Sequence, residues 1–126
     1  MEAITIREAA ERAGLSSDTL RYYEREGLIP PVGRTASGHR RYGAGDMAWI
    51  DYVCCLRTAG LGVTAIKEYV TLYQQGEVTL AQRVELLEEH ADAIRAKIAD
   101  LARTLTEIEG KVVRYRGALV RSEAGE

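Results

Sequence analysis

From Leu80 onward the apolar positions keep a single period. Leu80, Val84, Leu87, Ala91, Ile94, Ile98, Leu101, Leu105, Ile108, Val112 and Tyr115 alternate spacings of four and three without an error, which is the a/d seam of about five heptads. A helix carrying that seam is about 54 Å long at 1.5 Å per residue. The preceding residues form too small a head to cover it, and the chain holds no second heptad segment. The seam therefore predicts pairing with another chain, most simply a homodimer. Flanking charges leave the direction of pairing open. The g positions Arg83, His90, Lys97, Thr104 and Lys111 disfavour g-to-g contact in an antiparallel pair, whereas the e positions Glu88 and Arg95 cross-pair in that arrangement. The pattern predicts a dimerisation helix over 79–116 and a flexible tail over 117–126.

Before the seam the periods are shorter and broken by glycine. Thr5-Ile6-Arg7-Glu8 is a capping box, in which the Thr hydroxyl and the Glu carboxylate satisfy each other's free backbone N–H groups. It predicts a helix to about Arg12 with Ile6, Ala9, Ala10 and Ala13 inward, stopped at Gly14. Ser16 or Ser17 caps a second helix that runs to about Arg25 and ends at Gly27. Two short helices joined by a Gly-containing turn form the pattern of a helix-turn-helix. Leu28 to Tyr42 reads as a loop and small hairpin, a wing, with Pro30-Pro31 extending its entry and Ser37-Gly38 marking its turn. A third helix is predicted from Asp46 to Ala59, apolar on two faces, one with Met47, Ile50, Cys54 and Leu61 and the other with Ala48, Tyr52, Cys55 and Ala59. A fourth follows from about Val63 to Gln75. The fold class is mainly α: a winged helix-turn-helix head with a helical support pair over 1–76, then the long dimerisation helix.

Composition sharpens this picture in one place. The formal net charge is −2, yet no acidic residue lies between Gly27 and Gly45, and Arg34, Arg40 and Arg41 all fall there. A local excess of positive charge in a mildly acidic chain points to a polyanion. The second helix presents hydroxyls at its start, Ser16, Ser17 and Thr19, with Arg21 and Tyr22 one turn on. Such groups suit phosphate and base-edge contacts in a major groove. With Tyr23 and the wing residues Arg34, His39, Arg40, Arg41 and Tyr42 they make up the candidate DNA-binding set. Uninterrupted apolar runs such as Val53 to Leu56 are far too short for a membrane span. Cys54 and Cys55 are adjacent and cannot build a disulfide framework, so a reducing cytoplasm is expected. No nucleophile–base pair, metal-ligand spacing or phosphate-cradling glycine motif is present, so neither an enzyme nor a cofactor is expected. A coiled-coil adaptor with a winged head, or an architectural DNA binder without a switch, remains the competing function at this point.

The motifs TLRYYEREGLIPP (19–31), Arg34, Gly38, Arg40 and Tyr42 in the wing, GAGDMAWI (43–50) and LRTAGLGVTAIKEYV (56–70), in that order ahead of the long helix, resemble the MerR family of bacterial transcription regulators over residues 4 to about 116. The resemblance implies an antiparallel coiled-coil homodimer. Each head would place its second helix in a major groove of a pseudo-palindromic promoter, with Arg21, Tyr23, Arg34, Arg40 and Tyr42 on the phosphate backbone. Asp18 departs from the basic residue that some members carry there. The resemblance also implies that double-stranded promoter DNA is distorted, so that its two elements realign for RNA polymerase. Metal-sensing branches place cysteines late in the dimerisation helix or beyond it. This chain has none after Cys55 and only His39 and His90 as imidazoles, so no metal site is expected. Drug-sensing branches add a large ligand domain, whereas only ten residues follow Arg116. The stretch VCCLRTAGL is similar to a short-chain branch that has a cysteine in the third helix, some of whose members respond to aldehydes and other electrophiles. Cys55 matches that position and is the candidate sensor, although both cysteines also suit a role as small core hydrophobes. The effector itself is unknown.

Overall fold

The computed structural model describes residues 2–125, and Glu126 at the end of the expected tail lies outside them. The elements in order are α1 (Ile6–Ala13), α2 (Ser17–Arg25), α3 (Ala44–Thr58), α4 (Val63–Gln74), a 3-10 turn (Glu77–Thr79) and α5 (Leu80–Glu123). The chain divides into two compact units, one ending at Leu87 and one starting at Glu88. The head thus takes in the first two turns of α5, beyond the boundary expected at residue 76.

Within the head, α1 packs on α2 and α3, and α3 packs on α4. The capping box is formed: the Glu8 N–H donates to Thr5 Oγ1 at 3.2 Å, and the Thr5 N–H to Glu8 Oε1 at 3.3 Å. The two hydrogen bonds from Thr5 hold the Glu8 carboxyl below its ordinary value. Ala9 and Ala10 are buried where α1 meets its neighbours, because only small side chains allow helices to come so close. Gly14 closes α1 at φ 69°, and Ser16 opens α2 by accepting the Thr19 N–H at 3.0 Å. The left-handed turn at Gly14 is what folds α2 back across α1.

The wing is a minimal hairpin. Arg34 and Arg40 form a single antiparallel bridge, the Thr35 N–H donates to the His39 carbonyl at 2.8 Å and the Arg41 N–H to the Gly33 carbonyl at 2.8 Å. Gly38 takes φ 87° at its tip. Two bonds exchanged between Ile4 and Tyr42, at 2.9 and 2.8 Å, tie the returning arm to the start of the chain. Leu20, Leu28, Ile29, Tyr42 and Ile50 make the floor of the core, all buried to 1% exposure or less.

Two expectations are corrected in α3. The helix starts at Ala44 instead of Asp46, because the Asp46 carboxylate accepts the Gly43 N–H at 2.8 Å and so serves as the third helical residue. Its core face is Ile50, Val53 and Leu56 at spacings of three, while Ala48 and Cys55 are exposed and Cys54 is half-buried. One strongly apolar stripe sets the rotation of a helix, and the weaker second stripe is left outside.

The second unit is helical from Glu88 through Glu123. The helix passes Gly117, where a tail was expected, and continues for six residues more. A glycine inside a helix costs about 1 kcal/mol, and the apolar and basic side chains around Gly110 and Gly117 are good enough helix formers to carry it. Along the seam Ile98, Leu101, Leu105, Ile108, Val112 and Tyr115 are 42–70% exposed, and Leu119 extends the pattern by one more position at 60%. Nearer the head, Leu80 and Val84 are exposed whereas Leu87, Ala91 and Ile94 are half-buried.

Candidate nucleic-acid interface

Between the start of α1, Arg21 on α2 and the wing from Arg34 to Arg41 lies an open cleft of about 430 Å³. Its walls carry Arg21, Arg34, His39, Arg40 and Arg41, so five of the expected residues come together in one concave surface. Thr5 and Ile6 also line it. They were missed from sequence because a capping box gives a helix start but not what that start faces.

The four arginines are held differently. Arg21 Nη1 lies 2.8 Å from Asp18 Oδ1 in an exposed pair. Such pairs contribute about 0–1 kcal/mol, so Asp18, the departure from the family pattern, steers Arg21 without locking it. Arg34 Nη1 donates to the Gly38 carbonyl across the wing turn at 3.0 Å. Arg41 is exposed, and its charge is felt at Glu8, whose carboxyl it helps to hold down. Arg40 is the exception. Its Nε donates to Glu24 Oε1 at 2.5 Å, with side chains only 21% and 12% exposed. The same carboxylate accepts the Val32 N–H at 3.1 Å through its other oxygen. Desolvation raises the Glu24 pKa, but the bonds from Arg40 and Val32 and the charges of Arg40 and Arg34 outweigh it, and the net shift is downward.

The remaining expected contacts are placed elsewhere. Tyr23 and Tyr42 are in the core, 7% and 0% exposed, and burial raises both phenol pKa values. The two rings lie in the core instead of on the cleft wall, and large aromatic rings bury more apolar area in the core than they would at the rim. The Tyr42 hydroxyl has no hydrogen-bond partner among the described residues. The Ser16 and Thr19 hydroxyls lie 2.8 Å apart, and Ser16 is occupied by capping α2. Ser17 is half-buried as the first residue of the helix. Tyr22 is 38% exposed, with the Arg25 guanidinium 5.7 Å from its ring centre.

Of the cysteines, Cys55 is exposed and Cys54 half-buried. Burial, with help from Asp51 and Cys55, pushes the Cys54 thiol up. Among the described residues no group of three or more His, Cys, Asp or Glu could hold a metal ion, and no helix is long and apolar enough to cross a membrane.

The sequence matches two family models, one described as MerR HTH family regulatory protein over residues 4–72 and one described as MerR, DNA binding over residues 47–111. The HTH-type transcriptional regulator AdhR of Bacillus subtilis is 46% identical over 84 residues, which make up 67% of this chain and 60% of that protein. A crystal structure of HiNmlR, described as a MerR family regulator lacking the sensor domain and bound to promoter DNA, is 35% identical with a TM-score of 0.84, covering 92% of each chain. A MerR-family structure from Listeria monocytogenes reaches a TM-score of 0.91 at 39% identity, covering 95% of this chain and 91% of that one.

Proposed function

The chain belongs to the MerR family of DNA-binding transcriptional regulators, and from that premise we propose that it grips promoter DNA as an antiparallel homodimer through two copies of the arginine-lined cleft. The observation that carries this reading is the cleft itself: cationic side chains from α2 and from the wing line one concavity, a shape that takes a phosphate strand between the groove-entering helix and the wing. Its relatives are transcriptional regulators, a class that works by binding.

The exposed seam on α5 supports the dimer, since a stripe with six large side chains at 42–70% exposure is costly to leave in water. The e and g positions leave the direction of pairing open, but the net charge of the two ends of the helix favours the antiparallel one. Residues 85–92 carry Glu85, Glu88, Glu89 and Asp92, whereas 110–122 carry Lys111, Arg114, Arg116 and Arg121 with no acid. Antiparallel pairing sets these ends against each other, and parallel pairing sets like against like. Two rigidly spaced heads can then distort a promoter spacer for RNA polymerase, with specificity expressed as deformation energy. The site of action is the bacterial cytoplasm, where that DNA lies.

The signal enters at Cys55 in this reading. It is the exposed thiol of the pair, while Cys54 is half-buried and its thiol is pushed up by burial. Recovery of bound fragments from genomic DNA tests the regulator and supplies its operator; no enrichment over bulk fragments at low salt refutes it. Intact-mass analysis after methylglyoxal or quinone treatment tests the thiol. An unmodified Cys55 alongside normal promoter activation removes it from the mechanism.

A further inference from the structure

Glu24 stands where a surface built for a polyanion has no evident use for a negative charge. It belongs to α2, its side chain is 12% exposed, and its partner Arg40 lines the cleft. What it does instead is divide its two oxygens between the two arms of the wing. Oε1 accepts Arg40 Nε on the returning arm at 2.5 Å, and Oε2 accepts the Val32 N–H on the entering arm at 3.1 Å.

Both partners are donors, so the position requires two acceptors on one side chain. A carboxylate supplies them, whereas an amide of the same size supplies one oxygen and turns an NH2 group against the second donor. Within the wing the two arms meet at the Arg34–Arg40 bridge and at the turn, where Arg34 donates to the Gly38 carbonyl and the His39 N–H to Thr35 Oγ1, and Ile4 pairs with Tyr42 at the base. Glu24 is the side chain that ties both arms to α2. We propose that Glu24 is a positioning residue for operator selection: it fixes the spacing between α2 and the wing, so that Arg21 from the helix and Arg34 and Arg41 from the wing meet the DNA backbone in one register. The inference rests on the cleft being the DNA grip.

Charge counting and positioning predict opposite signs for the same substitution. Removing a carboxylate beside DNA strengthens binding to every sequence by electrostatics alone. Loss of positioning weakens binding to the operator and leaves non-specific binding level or tighter. The measurement is fluorescence anisotropy of the full-length protein on an operator duplex selected by the wild type and on a scrambled duplex of the same length and composition. For Glu24→Gln the operator-to-scrambled affinity ratio is expected to fall by about tenfold or more, the scale of a lost charge-assisted hydrogen bond. Hydrogen exchange at the Val32 amide should speed up while amides in the middle of α2 keep their protection. Glu24→Asp, which retains two acceptors, should recover most of the ratio. An unchanged ratio for Glu24→Gln, or equal strengthening on both duplexes, overturns the proposal.

Should Glu24→Gln fail to fold, Arg40→Lys serves in its place. It keeps the charge and loses the planar fork, and it should lower the ratio as well; a wild-type ratio there also overturns the proposal. If the wild type itself binds neither duplex, it is the DNA-grip reading that fails.

Discussion

Replacing Arg41 by alanine isolates the electrostatic grip from the wing that carries it. The Arg41 backbone N–H holds the Gly33 carbonyl at 2.8 Å, and alanine keeps that bond, so the hairpin should survive. The side chain is exposed on the cleft wall. Each phosphate neutralised by a cation contributes about 0.9 to the slope of log affinity against log salt. One Arg41 per head gives two per dimer, so the slope should become shallower by about 1.8. Between 50 and 200 mM salt that change amounts to about a twelvefold difference in how far wild type and variant weaken. The assay is a salt titration by anisotropy on operator and scrambled duplexes in parallel. Both slopes should flatten alike, because a phosphate contact carries no sequence information. A slope equal to wild type on both duplexes would remove Arg41 from the grip, and flattening on the operator alone would mean that it reads bases. Arg40→Ala tests something else, because it strands the Glu24 carboxylate beside the DNA, and it should cost more affinity than Arg41→Ala.

Two further outcomes follow from the structure. Ile98→Asp sets two carboxylates into a seam position that is 60% exposed in the single chain, and a buried unpaired charge is far costlier than a lost methyl contact; sedimentation should then report the 13.9 kDa monomer with little operator affinity, and a stable dimer with full affinity would place dimerisation elsewhere. Glu24 has a depressed pKa when folded, so the stability it contributes is present above its ordinary value of 4.5 and is lost as pH falls through the lower folded value; protection of the Val32 amide should drop over that acid range, and a flat protection profile down to complete protonation of Glu24 would contradict the assigned hydrogen bond.

How much of this was readable beforehand divides by the kind of signal. Thr5 with Glu8, Gly14, and the order of helices were legible because capping and turn chemistry are local in sequence. The seam was legible because its period holds without a break. The rotation of α3 was not, since Ile50, Val53 and Leu56 compete with a second apolar stripe and only packing against α1 and α4 decides between them. The arginine cluster was visible as charge, but the division of labour within it was not. Arg40 and Arg41 are adjacent on an extended arm, where successive side chains point to opposite sides. Both line the cleft, one half-buried and the other exposed, and the alternation does not say which of them is drawn inward. Glu24 decides it from 16 residues away, across a loop whose path no local rule supplies.

The same division bears on how a promoter could be distorted. Deforming a site of 20–30 base pairs costs about 1–6 kcal/mol, and in the proposed grip part of that load falls on the junction between α2 and the wing. A junction weaker than the DNA would yield first, and the wing would swing while the duplex stayed straight. A hydrogen bond to a charged group contributes about 1.5–3 kcal/mol net, and each head has two on Glu24. Over a dimer the four bonds amount to about 6–12 kcal/mol, at or above the upper end of the deformation cost. On the proposed reading, a carboxylate under the arginine cleft stiffens the grip, and its electrostatic cost is kept small by burying it against Arg40.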